Sequence, residues 1–145
     1  MATVRELLAG KDRHLVTIAA HASVFSAAVL MNDHKIGSLL VLEEGRLVGI
    51  LTERDILRRI VADQRDAAGT RVGEVMTRDV VCCFLDTDLE EARSVMKHRR
   101  IRHLPVLARD DGVVGLISIG DLNAYQVDYQ ERTICQLQDY IHGTW

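Results

Sequence analysis

Seven residues occur twice in this chain, and they limit what it can fold into. The first copy is Gly49-Ile50-Leu51-Thr52-Glu53-Arg54-Asp55; the second is Gly115-Leu116-Ile117-Ser118-Ile119-Gly120-Asp121. Each reads as the end of an apolar strand, a hydroxyl residue, an acid three positions on, and then a helix. A hydroxyl at a helix start accepts from the free amides of the first turn. Those amides and the positive end of the helix dipole also suit a phosphate. The surroundings repeat as well. Val81 answers Val16, Asp88 answers Ser23, Met96 answers Met31 and Ile101 answers Ile36, all at a spacing of 65 residues. The turn at Arg109-Asp110-Asp111-Gly112 is one residue longer than its counterpart, so the two heptads stand 66 residues apart. A repeat of this period decides the architecture.

Taken in order, Thr3-Val4-Arg5-Glu6-Leu7-Leu8 predicts a short helix with a Thr3–Glu6 capping box. Val16-Thr17-Ile18 is β-prone, and Ser23 opens a helix with Val24, Ala27, Ala28 and Met31 on one face. Ile36 to Leu42 and Leu47 to Leu51 predict two strands, joined into a hairpin at Glu44-Gly45-Arg46. A helix then runs from Glu53 to about Asp63, with Ile56, Leu57, Ile60 and Val61 as its apolar stripe. Gln64 to Gly69 is a linker. The order then runs again from Val72. Each half is strand, helix, strand, strand, helix, too small for a comfortable core alone. The expected fold is α/β (α+β): two pseudo-symmetric β-α-β-β-α repeats packed through their sheets. The expected units are 1–69 with an N-terminal helix, 70–124, and a C-terminal helix at 125–145. Ile134, Leu137, Tyr140 and Ile141 share a stripe of that last helix. It packs either on its own module or across a dimer.

Apolar residues make up 48% of the 145, enough for a core without staples, and aromatics only 4%, so that core is aliphatic. The net charge of −3 argues against nucleic acid as the main partner. No leader and no apolar run of membrane-spanning length is evident, which gives an expectation of a cytoplasmic protein and no membrane partner. The three cysteines, Cys82, Cys83 and Cys135, lack disulfide or zinc spacing and read as small core residues. No metal site and no catalytic motif is legible: G-x-S-x-G, H-E-x-x-H and the Walker loop are absent, so the chain is not expected to be an enzyme.

The doubled Gly-apolar-apolar-Thr/Ser-x-x-Asp, the stretch Arg102-His103-Leu104-Pro105-Val106 and the link Val75-Met76-Thr77 together resemble a tandem pair of CBS domains, a Bateman module. The resemblance runs from about Thr3 to Asp121. It implies two clefts related by pseudo-symmetry, often holding an adenine nucleotide such as AMP, ADP, ATP, NAD or S-adenosylmethionine, in a module that commonly dimerises. A stand-alone sensor follows from it, a homodimer that signals to a protein partner as yet unknown. The rival is a ligand-free interaction protein whose motif residues only cap helices.

In the first repeat the resemblance assigns Thr52, Arg54 and Asp55, with Lys35, Ile36 and Gly37 before the second strand and Thr17 and Ile18 as a base wall. In the second it assigns Ser118, Gly120 and Asp121, with Arg100, Arg102 and His103, and Leu104, Pro105, Cys82 and Cys83 as walls. Asp55 and Asp121 would accept from ribose hydroxyls, while Thr52, Ser118 and the first-turn amides face the sugar–phosphate. Arg54 offers a planar fork for phosphate or is simply an exposed helix charge; Gly120 in its place offers bare backbone, so the two clefts are chemically unequal. Lys97 to His103 is the most basic stretch, read as a solvated face, as phosphate capture, or as a nucleic-acid patch lacking aromatic platforms.

Overall fold

The computed structural model describes residues 2–11, 15–109, 112–127 and 130. Cys135 and the stripe of Ile134, Leu137, Tyr140 and Ile141 lie outside these. The elements are α1 (Val4–Ala9), β1 (Thr17–Ala19), α2 (Val24–His34), β2 (Ser38–Glu43), β3 (Arg46–Thr52), α3 (Glu53–Ile56), α4 (Val72–Val75), β4 (Cys83–Phe84), α5 (Leu89–Arg99), β5 (His103–Leu107) and β6 (Val113–Ser118). Residues 119–127 form a last helix, α6.

Two three-stranded sheets result, ordered β1-β2-β3 and β4-β5-β6, with the first pair parallel and the second antiparallel in each. The expected mixed fold of two equivalent halves is therefore present. The hairpins match in detail. Each carries an irregularity at the same place, after Val41 opposite Gly49 and after Val106 opposite Gly115. The first hairpin turns on Glu44 and Gly45, both at positive φ, the two-residue loop whose twist suits paired strands. Pro105 sits in a central strand without breaking it, because β4 is short and pairs only with Val106 and Leu107.

The helix ahead of each repeat packs on the other repeat. Val4, Leu7 and Leu8 of α1 share a core with Leu89, Met96, Leu104, Val106 and Ile117 of the second repeat. Val72 and Val75 of α4, with Met76, join Val24, Met31, Leu39, Val41 and Leu51 of the first. Backbone bonds fix the exchange. The Val4 amide donates to Thr87 O and the Arg5 amide to Leu85 O, both at 2.9 Å. Symmetrically, the Val72 and Gly73 amides donate to Ala22 O and Ala20 O at 2.8 Å. The capping box expected at Thr3 is therefore not made: its side chain forms no cap bond, and neighbouring carbonyls satisfy the first-turn amides instead. The units expected at 1–69 and 70–124 are contiguous in sequence, but their cores are completed by traded helices.

Strand alternation accounts for how the halves meet. Leu39 and Val41 face the first core, so Leu40 between them faces away, yet it is fully buried. Pro105 is likewise buried between Leu104 and Val106. Each sheet is thus covered on both faces, one by helices and one by the other repeat.

The helix begun by α3 widens after Ile56: the Ala62 amide bonds Leu57 O and the Arg65 amide bonds Ile60 O, both spanning five residues at 2.9 Å. Of the expected stripe, Ile60 is buried and Ile56 half-buried, while Leu57 and Val61 are 61% and 62% exposed. The core has room for one strip of this helix, and the adjoining strip faces outward.

The repeated glycines have a packing reason. A Cβ on Gly49 would lie 2.5 Å from Met76 Sδ and 2.9 Å from the Thr77 carbonyl oxygen; on Gly115 it would meet only the Leu8 side chain, at 3.0 Å. Backbone yields less readily than a side-chain tip. Gly49→Ala should therefore destabilise the fold by about 1–3 kcal/mol, the range for overpacking, and Gly115→Ala by less. Urea denaturation of the two variants beside the parent chain checks the order.

Candidate functional site

Both heptads close on themselves as capping boxes. The Asp55 amide donates to Thr52 Oγ1 at 3.2 Å, and the Thr52 amide donates back to Asp55 Oδ2 at 3.0 Å. In the second copy the Asp121 amide donates to Ser118 Oγ at 3.0 Å and the Ser118 amide to Asp121 Oδ2 at 2.8 Å. These bonds fix both carboxylates: Asp55 lines a hollow between the repeats, whereas in the second copy Ser118 lines the hollow and Asp121 lies outside its lining. The residues after the traded helices complete the fixing. Thr77, just beyond α4, donates its hydroxyl to the Asp55 carboxylate, 3.1 Å from Oδ1. Lys11, just beyond α1, puts its ammonium 2.6 Å from Asp121 Oδ2 and 2.6 Å from Leu116 O. Equivalent stations thus hold a neutral donor in one cleft and a cation in the other.

The first cleft, about 380 Å³, is lined by Gly37, Ile50, Thr52, Glu53, Arg54, Asp55, Arg58, Arg59, Thr77, Arg100, Ile101, Arg102 and His103. Asp55 is only 7% exposed there. A carboxylate has about four acceptor positions, so capacity remains beyond the Thr52 amide and the Thr77 hydroxyl. Arg59 is spent on structure, donating to Val75 O at 2.8 Å and Met76 O at 3.1 Å. The second cleft, about 390 Å³, is more apolar. Leu8, Lys11, Leu15, Val16, Ile36, Gly37, Ser38, His103, Val114, Gly115, Leu116 and Ser118 line it.

Each cleft draws on both repeats, and the crossing differs from the expected grouping. The connector before β5, with Arg100 and Arg102, faces the Thr52–Asp55 box rather than Ser118–Asp121. Ile36 and Gly37, before β2, face the second cleft, and Gly37 and His103 border both. Sheet-to-sheet packing of the halves turns each connector toward the partner motif. Lys35 is exposed at the left-handed C-cap of α2 and lines neither cleft. Thr17 and Ile18 line neither; Ile18 packs on the first core. Leu104 and Cys83 are core residues of the second half, Pro105 is buried between the sheets, and Cys82 and Gly120 lie outside both linings. Burial, with Cys82 and Glu91 adding to it, pushes the Cys83 thiol up to about 12, which leaves it a packing residue.

Lys11, Arg58 and Arg59 carry weight that the sequence reading did not give them. Arg58 and Arg59 fall one turn past Arg54, a signal present in the sequence. Lys11 becomes visible only once α1 is known to cross to the other repeat. Among the described residues no helix is long and apolar enough to cross a membrane, and no cluster of three or more metal-ligating side chains occurs.

The chain is thus a duplicated module with a helix-capping box beside each inter-repeat hollow. The chain belongs to the CBS-domain family: the model of the CBS domain matches it twice, at residues 4–62 and 72–128. It is 36% identical to the mitochondrial CBS domain-containing protein CBSX3 of Arabidopsis thaliana, over 83% of this chain and 61% of that protein, so it spans about three fifths of that relative. A CBS-domain structure from Burkholderia ambifaria MC40-6 superposes with a TM-score of 0.84 at 37% identity, covering 88% of this chain and 95% of that one. The CBS domain pair of protein MJ0100, solved with 5-methylthioadenosine and S-adenosyl-L-methionine, shares the fold at a TM-score of 0.78 and 24% identity, with 89% and 98% covered.

His103, between the clefts, titrates below its usual range. Burial is the main cause; Lys11 and Arg102 add to it, and Asp121 and Glu53 oppose it. The folded chain therefore takes up a proton at His103 less readily than the unfolded chain does. Its contribution to stability is present above about pH 6.5, the free histidine value, and is lost as pH falls through the lower, folded value. Urea midpoints should decline from pH 7 toward pH 5, and His103→Gln should flatten part of that decline.

Proposed function

We propose that this chain is a non-catalytic sensor module that binds an adenine nucleotide in the cleft around Asp55. The observation that carries this reading is a buried carboxylate with acceptor capacity to spare, facing guanidinium groups across a hollow built by both repeats. In that arrangement Asp55 accepts from ribose hydroxyls, Ile50 and Ile101 supply apolar surface for the base, and the arginines face the phosphates. The MJ0100 pair gives a precedent in fold for adenosine-bearing ligands; the residue assignment rests on this chain's own cleft.

Because both repeats build the cleft, a ligand there favours one arrangement of the halves, by as much as its affinities for the alternatives differ. That shift is the signal passed to a protein partner. We further read the chain as a homodimer through its first repeat. Phe25, Val29, Leu57 and Val61 are all exposed on the helices of that repeat, whereas Glu90, Ser94 and Asn123 hold three of the four equivalent positions in the second.

A thermal-shift panel of AMP, ATP, NAD and S-adenosylmethionine tests the binding reading. A true ligand at 100 times its dissociation constant should stabilise the fold by about 2.7 kcal/mol. Asp55→Ala should abolish that gain while costing about 1–3 kcal/mol, the scale for stripping the acceptor from the Thr52 amide and the Thr77 hydroxyl. No shift with any of the four would favour a ligand-free interaction module instead.

A further inference from the structure

The two clefts differ most in charge. The Asp55 cleft gathers five arginines against Asp55 and Glu53, an excess of three positive charges. Among the described residues the side chains of Arg54, Arg58, Arg100 and Arg102 make no hydrogen bond or ion pair, and all four are exposed. Folding gains nothing from crowding four unpaired cations around one hollow, and their mutual repulsion opposes it. The second cleft differs: Lys11 is the one lysine or arginine among the described residues of its lining, and Asp121 lies outside that lining. That lysine is matched one for one by the Asp121 carboxylate at 2.6 Å. The neutral partner Thr77 leaves Asp55 open to a second donor, whereas in the other cleft an incoming hydroxyl must compete with a cation.

We infer that the Asp55 cleft selects a ligand bearing a chain of two or more phosphates, one per protein chain, while the Lys11–Asp121 pair keeps the second cleft from acting as an equal site. This rests on the nucleotide reading above but goes further, to phosphate number and stoichiometry. The chemistry is direct. A monophosphate engages one or two guanidinium forks, whereas a di- or triphosphate spreads its charge over a length that Arg58 on the helix and Arg102 on the opposite connector can grip from two sides. Such contacts at exposed groups weaken with salt, so the selectivity for phosphate number should shrink at high ionic strength.

Calorimetric titration of the full chain in magnesium-free, low-salt buffer with ATP, AMP, adenosine and inorganic tripolyphosphate tests it. ATP should bind one site per chain at least about tenfold tighter than AMP, the scale of one charge-assisted hydrogen bond. Tripolyphosphate should compete with it. The double variant Arg58→Ser, Arg102→Ser should bring ATP to within about threefold of AMP, weakening ATP by far more than it weakens AMP. Its thermal unfolding should match the parent or lie slightly above it, since neither side chain has a partner to lose and some repulsion is relieved. Equal affinity for ATP, AMP and adenosine would overturn the inference and leave the nucleotide reading standing. Tripolyphosphate binding as tightly as ATP, with adenosine and AMP silent, would overturn the nucleotide reading and leave the phosphate chain standing. Two equal sites per chain would remove the role given to Lys11. No binding by any of the four would end both.

Discussion

The exchange of α1 and α4 between the repeats is the constraint on which the rest depends. Neither half owns a complete core: the second is closed by Leu7 and Leu8 of α1, and the first by Val72 and Val75 of α4. Backbone bonds from Val4, Arg5, Val72 and Gly73 lock both crossings. Because the crossings are fixed, the residue following each traded helix arrives at the other repeat's carboxylate. Thr77 reaches Asp55 and Lys11 reaches Asp121 by the same route. The glycines at 49 and 115 are small because these traded segments pass directly over them.

Much of this was legible in the sequence. The doubled heptad gave the strand–cap–helix order, and both capping boxes are made as its spacing implies. The hairpin at Glu44-Gly45 and the faces of α2 and α5 follow from turn chemistry and period. What could not be read was long-range. Nothing local says that α1 docks on the later repeat, so Thr3 reads as a self-sufficient cap and Lys11 does not stand out at all. For the same reason each connector was grouped with its own motif, although the packed sheets turn Arg100 and Arg102 toward Asp55. The apolar stripe after Asp55 was half right. Ile60 packs inward, while the wide turn leaves Leu57 and Val61 outside, a division set by tertiary space rather than by period.

The structural role of the motif leaves room for the proposed binding role. A capping box uses one oxygen of the acid and the hydroxyl of its partner, which stabilises the helix start whether or not a ligand is present. The carboxylate keeps further acceptor positions that point into the hollow. Duplication then let the two copies diverge while the frame stayed common. Arg54 stands opposite Gly120 in the alignment of the repeats, and the segments after the traded helices bring Thr77 to one carboxylate and Lys11 to the other. The pseudo-symmetric fold thus carries one strongly basic cleft and one internally neutralised cleft.

The central claim is that the functional unit is the inter-repeat cleft, not either repeat. Hydrogen exchange with mass-spectrometric readout, with and without a saturating adenine nucleotide, tests it most directly. Amides of the segment 52–58 from one repeat and of 100–103 from the other should gain protection together and at the same ligand concentration. Protection confined to one of these segments, or falling elsewhere while both exchange as before, would contradict the account.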